Sequence, residues 1–87
     1  VPASKLSKRF GVIIRDRRIA AALSQEQLAE RSDVHPTYIG MVERGLRNPT
    51  LDVSERIANA LGERLPDLLI ESAKSRQPGS KKGRLPK

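Results

Sequence analysis

The chain has no cysteine and no tryptophan, and its 87 residues include one tyrosine and one phenylalanine. Without cysteine there is no disulfide and no thiolate metal site, so stability must come from packing. Two aromatics, Phe10 and Tyr38, give no stacking platform of the kind single-stranded RNA readers use, which counts against an RNA-binding role. No apolar run comes near the roughly 18 residues of a membrane span, and no signal-peptide pattern is visible at the start. A cytoplasmic location and no membrane partner are expected from these absences. There is no nucleophile–base set, no group of clustered carboxylates and no glycine-rich phosphate loop, so neither an enzyme nor a bound cofactor is expected. His35 is the one histidine, with no other His or Cys to complete a metal site, so no metal is expected either.

Acid is missing from the end of the chain. All ten Asp and Glu residues lie at or before Glu71, while six basic residues follow from Lys74 onward. Eleven basic residues against ten acids leave residues 1–73 at +1, and the tail supplies the other six charges of the net +7. The basic balance points to nucleic acid or another anionic surface, but chiefly through the tail.

What is present is a helical pattern that suits one small domain. Residues 1–4 read as a loose N-terminus, 5–73 as the folded domain and 74–87 as a flexible basic tail with breakers at Pro78, Gly79 and Gly83. The spacing predicts a first helix over 5–22, with Leu6, Phe10, Ile13, Ile14 and Arg17 on one face. The stem of Arg17 can cover apolar surface while its head reaches water. Thr50 can cap a fourth helix whose buried side is Leu51, Ile57, Ala58 and Leu61, closed by Gly62. A fifth, from Leu65 to about Ala73, offers Leu65, Leu68 and Leu69 to the core and leaves Ile70 over.

The most informative stretch is Ser24–Gly45, SQEQLAERSDVHPTYIGMVERG. It reads as two short helices joined by a tight turn. Ser24 and Gln27 form a capping box for the first of them. Ala29 is small enough for a close helix crossing. Asp33 tolerates the left-handed backbone that the turn requires. Pro36 fits the first residue of the second helix, where no intrahelical N–H bond is lost. That helix is expected over 36–44, with Ile39 and Val42 turned inward. Its opposite face then carries Pro36, Thr37, Gly40 and Met41, with His35 and Tyr38 at the edges.

These residues resemble the helix-turn-helix of the Cro and phage-repressor (XRE) family. The likeness rests on Leu23-Ser24-Gln25-Glu26-Gln27-Leu28-Ala29, Val34, Tyr38-Ile39, Val42-Glu43-Arg44-Gly45 and Asn48-Pro49, and extends more loosely over 10–69. Asp33 stands where the family usually has Gly, Arg17 where it usually has Leu, and Ser54 where it usually has an aliphatic residue. The resemblance implies an all-α fold: a compact five-helix, lambda-repressor-like DNA-binding domain with the helix-turn-helix at helices 2 and 3. It implies a transcriptional regulator, similar to restriction–modification controllers and compact phage-type repressors.

The resemblance also assigns roles. Gln25 would contact a phosphate at the start of helix 2, where free N–H groups favour an anion. Arg44, Arg47 and Asn48 would hold the DNA backbone beyond the recognition helix, and Arg18 would pair with Glu43. His35, Pro36, Thr37, Tyr38, Gly40 and Met41 complete the expected DNA-binding set. It lacks Arg, Lys, Asn and Gln within 35–41, the types that pair bidentately with guanine or adenine. Thr37 and Met41 offer thymine-methyl contacts instead, Tyr38 a phosphate contact, and Gly40 close approach of the backbone. The expected partner is a double-stranded operator, read by a homodimer joined through Leu69, Ile70 and the end of helix 5. The alternative is an antitoxin or co-regulator that binds a protein partner through its C-terminal tail. Such a tail should carry apolar anchors, and only Leu85 is present.

Overall fold

The computed structural model describes residues 4–74. The tail assigned to 74–87 lies outside them apart from Lys74, as does the assigned N-terminus apart from Ser4. The described residues form five helices and no strand: α1 Lys5–Ala20, α2 Gln25–Ser32, α3 Pro36–Glu43, α4 Leu51–Ala60 and α5 Leu65–Lys74. The fold is all-α, and every helix beginning from α1 to α4 has a side-chain cap. Ser4 Oγ accepts the Ser7 N–H at 3.1 Å, and Thr50 Oγ1 accepts that of Val53 at 3.1 Å. The folded unit therefore takes in Ser4 as a cap and Lys74 as the last helical residue.

In α1 and α4 the structure differs from the sequence reading. α1 stops at Ala20, and Ala22 turns to φ +60°. With no glycine at hand, an alanine takes the left-handed turn that sends Leu23 back into the core. The buried side of α4 is not led by Leu51, which is 74% exposed. Leu51 is the first helical residue, and α4 meets the core only one turn later, at Ser54, Ile57 and Ala58. On α1, Leu6 is likewise exposed, and Ser7 and Gly11 lie buried beside Phe10, Ile13 and Ile14.

The core gathers Phe10, Ile13 and Ile14 from α1, Leu28 and Ala29 from α2, and Ile39 and Val42 from α3. Ile57 and Ala58 of α4 and Leu68 of α5 complete it. Each large aliphatic side chain buried this fully contributes roughly 1.5–3 kcal/mol. α3 packs between α1 and α2, and α5 lies across α1 and α4. The α1–α3 crossing is very close: a Cβ on Gly11 would stand 2.0 Å from the Val42 carbonyl oxygen. Arginines of α1 fix α5 to it. Arg9 Nε donates to the Ser72 carbonyl at 2.7 Å. Arg17, rather than merely covering apolar surface, bonds Glu71 and lies 3.3 Å from Glu63. These carboxylates, Glu71 first, hold the Arg17 guanidinium above its ordinary pKa.

Candidate nucleic-acid interface

The capping box of α2 is complete: Ser24 Oγ accepts the Gln27 N–H at 3.0 Å, and Gln27 Oε1 accepts the Ser24 N–H at 2.8 Å. At the other end Asp33 adopts φ +58°, ψ +48°, and the chain reverses through Val34. His35 then caps α3, its Nδ1 accepting the Thr37 N–H at 3.2 Å. Pro36 occupies the first turn of the helix. α3 closes on Gly45 at φ +73°, where Leu46 N–H reaches Met41 O at 2.8 Å and Gly45 N–H reaches Val42 O at 3.0 Å. The helical span ends at Glu43, with Arg44 as its C-cap.

α3 has an inner and an outer side. Ile39, Val42 and Glu43 are buried; Thr37 and Arg44 are exposed, and Pro36, Tyr38 and Met41 are half-buried. Tyr38 packs against the core at the helix edge.

Glu43 is the joint of the motif. Its side chain is 1% exposed, and that of Arg18 is 12%. Arg18 Nε donates to Glu43 Oε2 at 2.6 Å and Nη2 to Oε1 at 3.1 Å. Arg18 Nη1 donates to the Leu23 carbonyl at 2.9 Å. The hydrogen bonds it donates to Glu43 hold this guanidinium above its ordinary pKa, against the opposing effect of burial. Gln25 Nε2 also donates to Glu43 Oε1, at 3.0 Å. One carboxylate thus fixes α1, α2 and α3 together, and the fork geometry sets their mutual orientation.

Gln25 is oriented by that bond, which leaves its Oε1 and one amide hydrogen unclaimed by Glu43. The sequence reading leaves Gly40 bare for close approach; in the structure Gly40 is buried beneath two other candidate side chains. A Cβ at Gly40 would lie 3.4 Å from Arg44 Nη1 and 3.5 Å from Gln25 Oε1. Gln25 and Arg44 therefore converge over the middle of α3. Arg47 and Asn48 are exposed on the following loop. Asn48 has a second duty there, since its Oδ1 accepts the Ser7 hydroxyl.

Sequence reasoning missed Gly11, Ser7 and Lys8. Each matters only because of what α3 and its loop bring against α1. A Cβ at Gly45 would meet the Lys8 Cγ at 2.7 Å, so the first turns of α1 run alongside the loop after α3. The pattern K-x-x-K over 5–8 was the available signal, but nothing local joins it to residues 44–48.

Known proteins share this sequence pattern and fold. The family model described as helix-turn-helix matches residues 14–68. Control protein C.BamHI of Bacillus amyloliquefaciens is 48% identical over 61 residues, covering 69% of this chain and 75% of that protein. The structure of the restriction–modification controller protein C.AhdI from Aeromonas hydrophila is 40% identical, with a TM-score of 0.69 over 71% of this chain and 94% of its own. That of the clp gene regulator ClgR from Corynebacterium glutamicum reaches a TM-score of 0.79 at 31% identity, covering 88% and 99%.

Proposed function

Given that this chain belongs to the XRE-type helix-turn-helix family of transcriptional regulators, we propose that it binds double-stranded DNA sequence-specifically through α3 in the major groove. The observation that carries this reading is the division of α3 described above. Its inner side is locked by Ile39, Val42 and the Glu43 joint, while Thr37, Met41 and Arg44 remain available on the outer side. Thr37 can hydrogen-bond a base edge or touch a thymine methyl, and Met41 can pack on thymine methyls. Gln25, Tyr38, Arg47 and Asn48 then take backbone phosphates, which set register rather than sequence. His35 and Pro36 shape the start of the helix between them. Gly40 serves by holding Gln25 and Arg44 close to one another.

The active form is a homodimer on a (pseudo)palindromic operator, its half-sites one helical turn, roughly 34 Å, apart. Apolar surface supports a second copy as the partner. Ile70 is 54% exposed on α5. A groove lined by Leu6, Phe10, Pro49, Leu51 and Leu69 runs between the starts of α1 and α4, with α5 supplying Leu69 to its wall. Sedimentation of Ile70→Lys tests this face: loss of the dimer is expected, and an unchanged dimer excludes Ile70 as an anchor.

Selection from a random duplex library at about 150 mM salt, near the physiological level, tests the reading as a whole. Recovery of an inverted repeat is the expected result. Recovery of unrelated sequences would mean that binding is electrostatic only, and would turn attention to a protein partner.

A further inference from the structure

Two short segments far apart in sequence form one cationic edge. The first turns of α1 carry Lys5 and Lys8, one helical step apart on the same face. The loop after α3 carries Arg44 and Arg47. All four residues are exposed, and among the described residues none of them forms an ion pair. Neither 4–9 nor 44–50 contains an acid, and the nearby Glu43 is buried and committed to Arg18 and Gln25. Arg9 does not belong to this edge, since its Nε is bonded to α5.

The two segments are held in register. The Ser7 hydroxyl donates to Asn48 Oδ1, and Ser4 Oγ, the cap of α1, donates to Ser7 Oγ at 3.2 Å. The stem of Lys8 lies against Gly45, where only a residue without Cβ fits, on grounds of both space and backbone conformation. With its stem packed this way Lys8 remains exposed, beside the loop that carries Arg44 and Arg47.

We propose that Lys8, with Lys5, is a second phosphate-binding element. It extends the backbone grip of Arg44 and Arg47 to the neighbouring phosphates of the same DNA strand. The inference rests on the DNA-binding reading above and adds to it a contact from α1, outside the helix-turn-helix. Unpaired cations in a row attract a polyanion through its charge density, and each phosphate they neutralise releases counterions.

The test is the salt dependence of binding by the full chain to a mixed-sequence 30-base-pair duplex. Lys8→Met, which keeps the stem on Gly45 and removes the charge, is compared with wild type. The Lys5→Gln/Lys8→Met pair and Arg64→Gln complete the set. Arg64 adjoins Glu63, which pairs with Arg17 near the other end of α1, so it controls for net charge. Counted per bound homodimer, the log–log slope should fall in magnitude by about 1.8 for Lys8→Met, which removes two contacts, and about 3.6 for the double variant, which removes four. It should stay at the wild-type value for Arg64→Gln, with thermal midpoints unchanged in all three. A wild-type slope in both lysine variants, or an equal fall in Arg64→Gln, overturns the α1 contact while leaving the DNA reading intact. Salt-independent or absent binding by the wild type overturns the phosphate grip of this edge, while the sequence-specific reading stands or falls with the duplex selection. Lys8→Gln repeats the measurement if Lys8→Met changes the midpoint.

Discussion

The two glycines inside helices at the α1–α3 pair should respond to alanine with opposite signs. At Gly11 the added methyl would lie 2.0 Å from the Val42 carbonyl oxygen, and 3.1 Å from that of Glu43. The obstacle is backbone, so α1 and α3 must move apart by about 1 Å or more to reach ordinary contact. Overpacking of this kind costs about 1–3 kcal/mol, sometimes more. It outweighs the gain of roughly 0.5–1 kcal/mol from replacing a helical glycine by alanine. At Gly40 the nearest atoms to the new methyl are 3.4–3.6 Å away and belong to the side chains of Arg44 and Gln25. Nothing there opposes the propensity gain, so Gly40→Ala should stabilise the fold by about 0.5–1 kcal/mol. In a domain of this size each kcal/mol moves the thermal midpoint by about 4–8 °C, well within the precision of circular dichroism melts. A Gly11→Ala protein as stable as wild type would refute the close crossing. A Gly40→Ala protein less stable than wild type would refute the account of that position as free of steric demand.

Glu43→Ala leaves the nearly buried Arg18 without its carboxylate and should cost about 3–5 kcal/mol in urea unfolding; a loss under roughly 0.5 kcal/mol, typical of surface sites, would reject the pair as structural. Ala22→Gly should stabilise by up to about 1 kcal/mol, since it relieves an L-residue at φ +60°; a lower melting midpoint would contradict this. Arg17 and Arg18 have folded pKa values raised above their unfolded ones by Glu71 and Glu43. Their stabilisation is therefore complete below the unfolded value and is lost only as pH rises through the folded one. The stability difference between wild type and Arg17→Met should accordingly stay level from neutral pH to about pH 10, short of arginine titration; a decline across that window would contradict the ion pairs as the source.

The parts of this fold that could be read from sequence are those governed by neighbours in the chain. The capping box at Ser24 and Gln27, the left-handed turn at Asp33 and the proline start of α3 all depend on residues within a few positions of one another. The periodicity of Ile39 and Val42 likewise gave the inner side of α3. What escaped depended on distant segments. Gly11 looks like an ordinary helical residue until Val42 is placed against it, and Lys8 looks like solvated charge until Gly45 lies beside its stem. Leu51 read as buried because its spacing to Ile57 and Ala58 is helical, yet periodicity does not say where along α4 the core begins. Ser32 and Ser72 are buried polar residues without an apolar signature, tolerated because each hydroxyl returns to a carbonyl of its own helix at 2.7 Å. For the candidate DNA contacts, the placement of Thr37 and Met41 on α3 was legible, but the burial of Gly40 beneath Gln25 and Arg44 arises only when α2 is packed against α3.

The Glu43 joint has a consequence for how such a chain can change. What orients α3 is supplied from beneath it, from one edge and from its ends, by Ile39, Val42, Tyr38, Glu43 and the caps. The side chains of Thr37 and Met41 make no hydrogen bond to the rest of the described residues. Mutational drift at those positions is thus decoupled from foldability. Under the proposed reading, in which Thr37 and Met41 face the bases, a lineage could exchange one target for another through viable single steps, while a change at Glu43 removes the scaffold that orients α3.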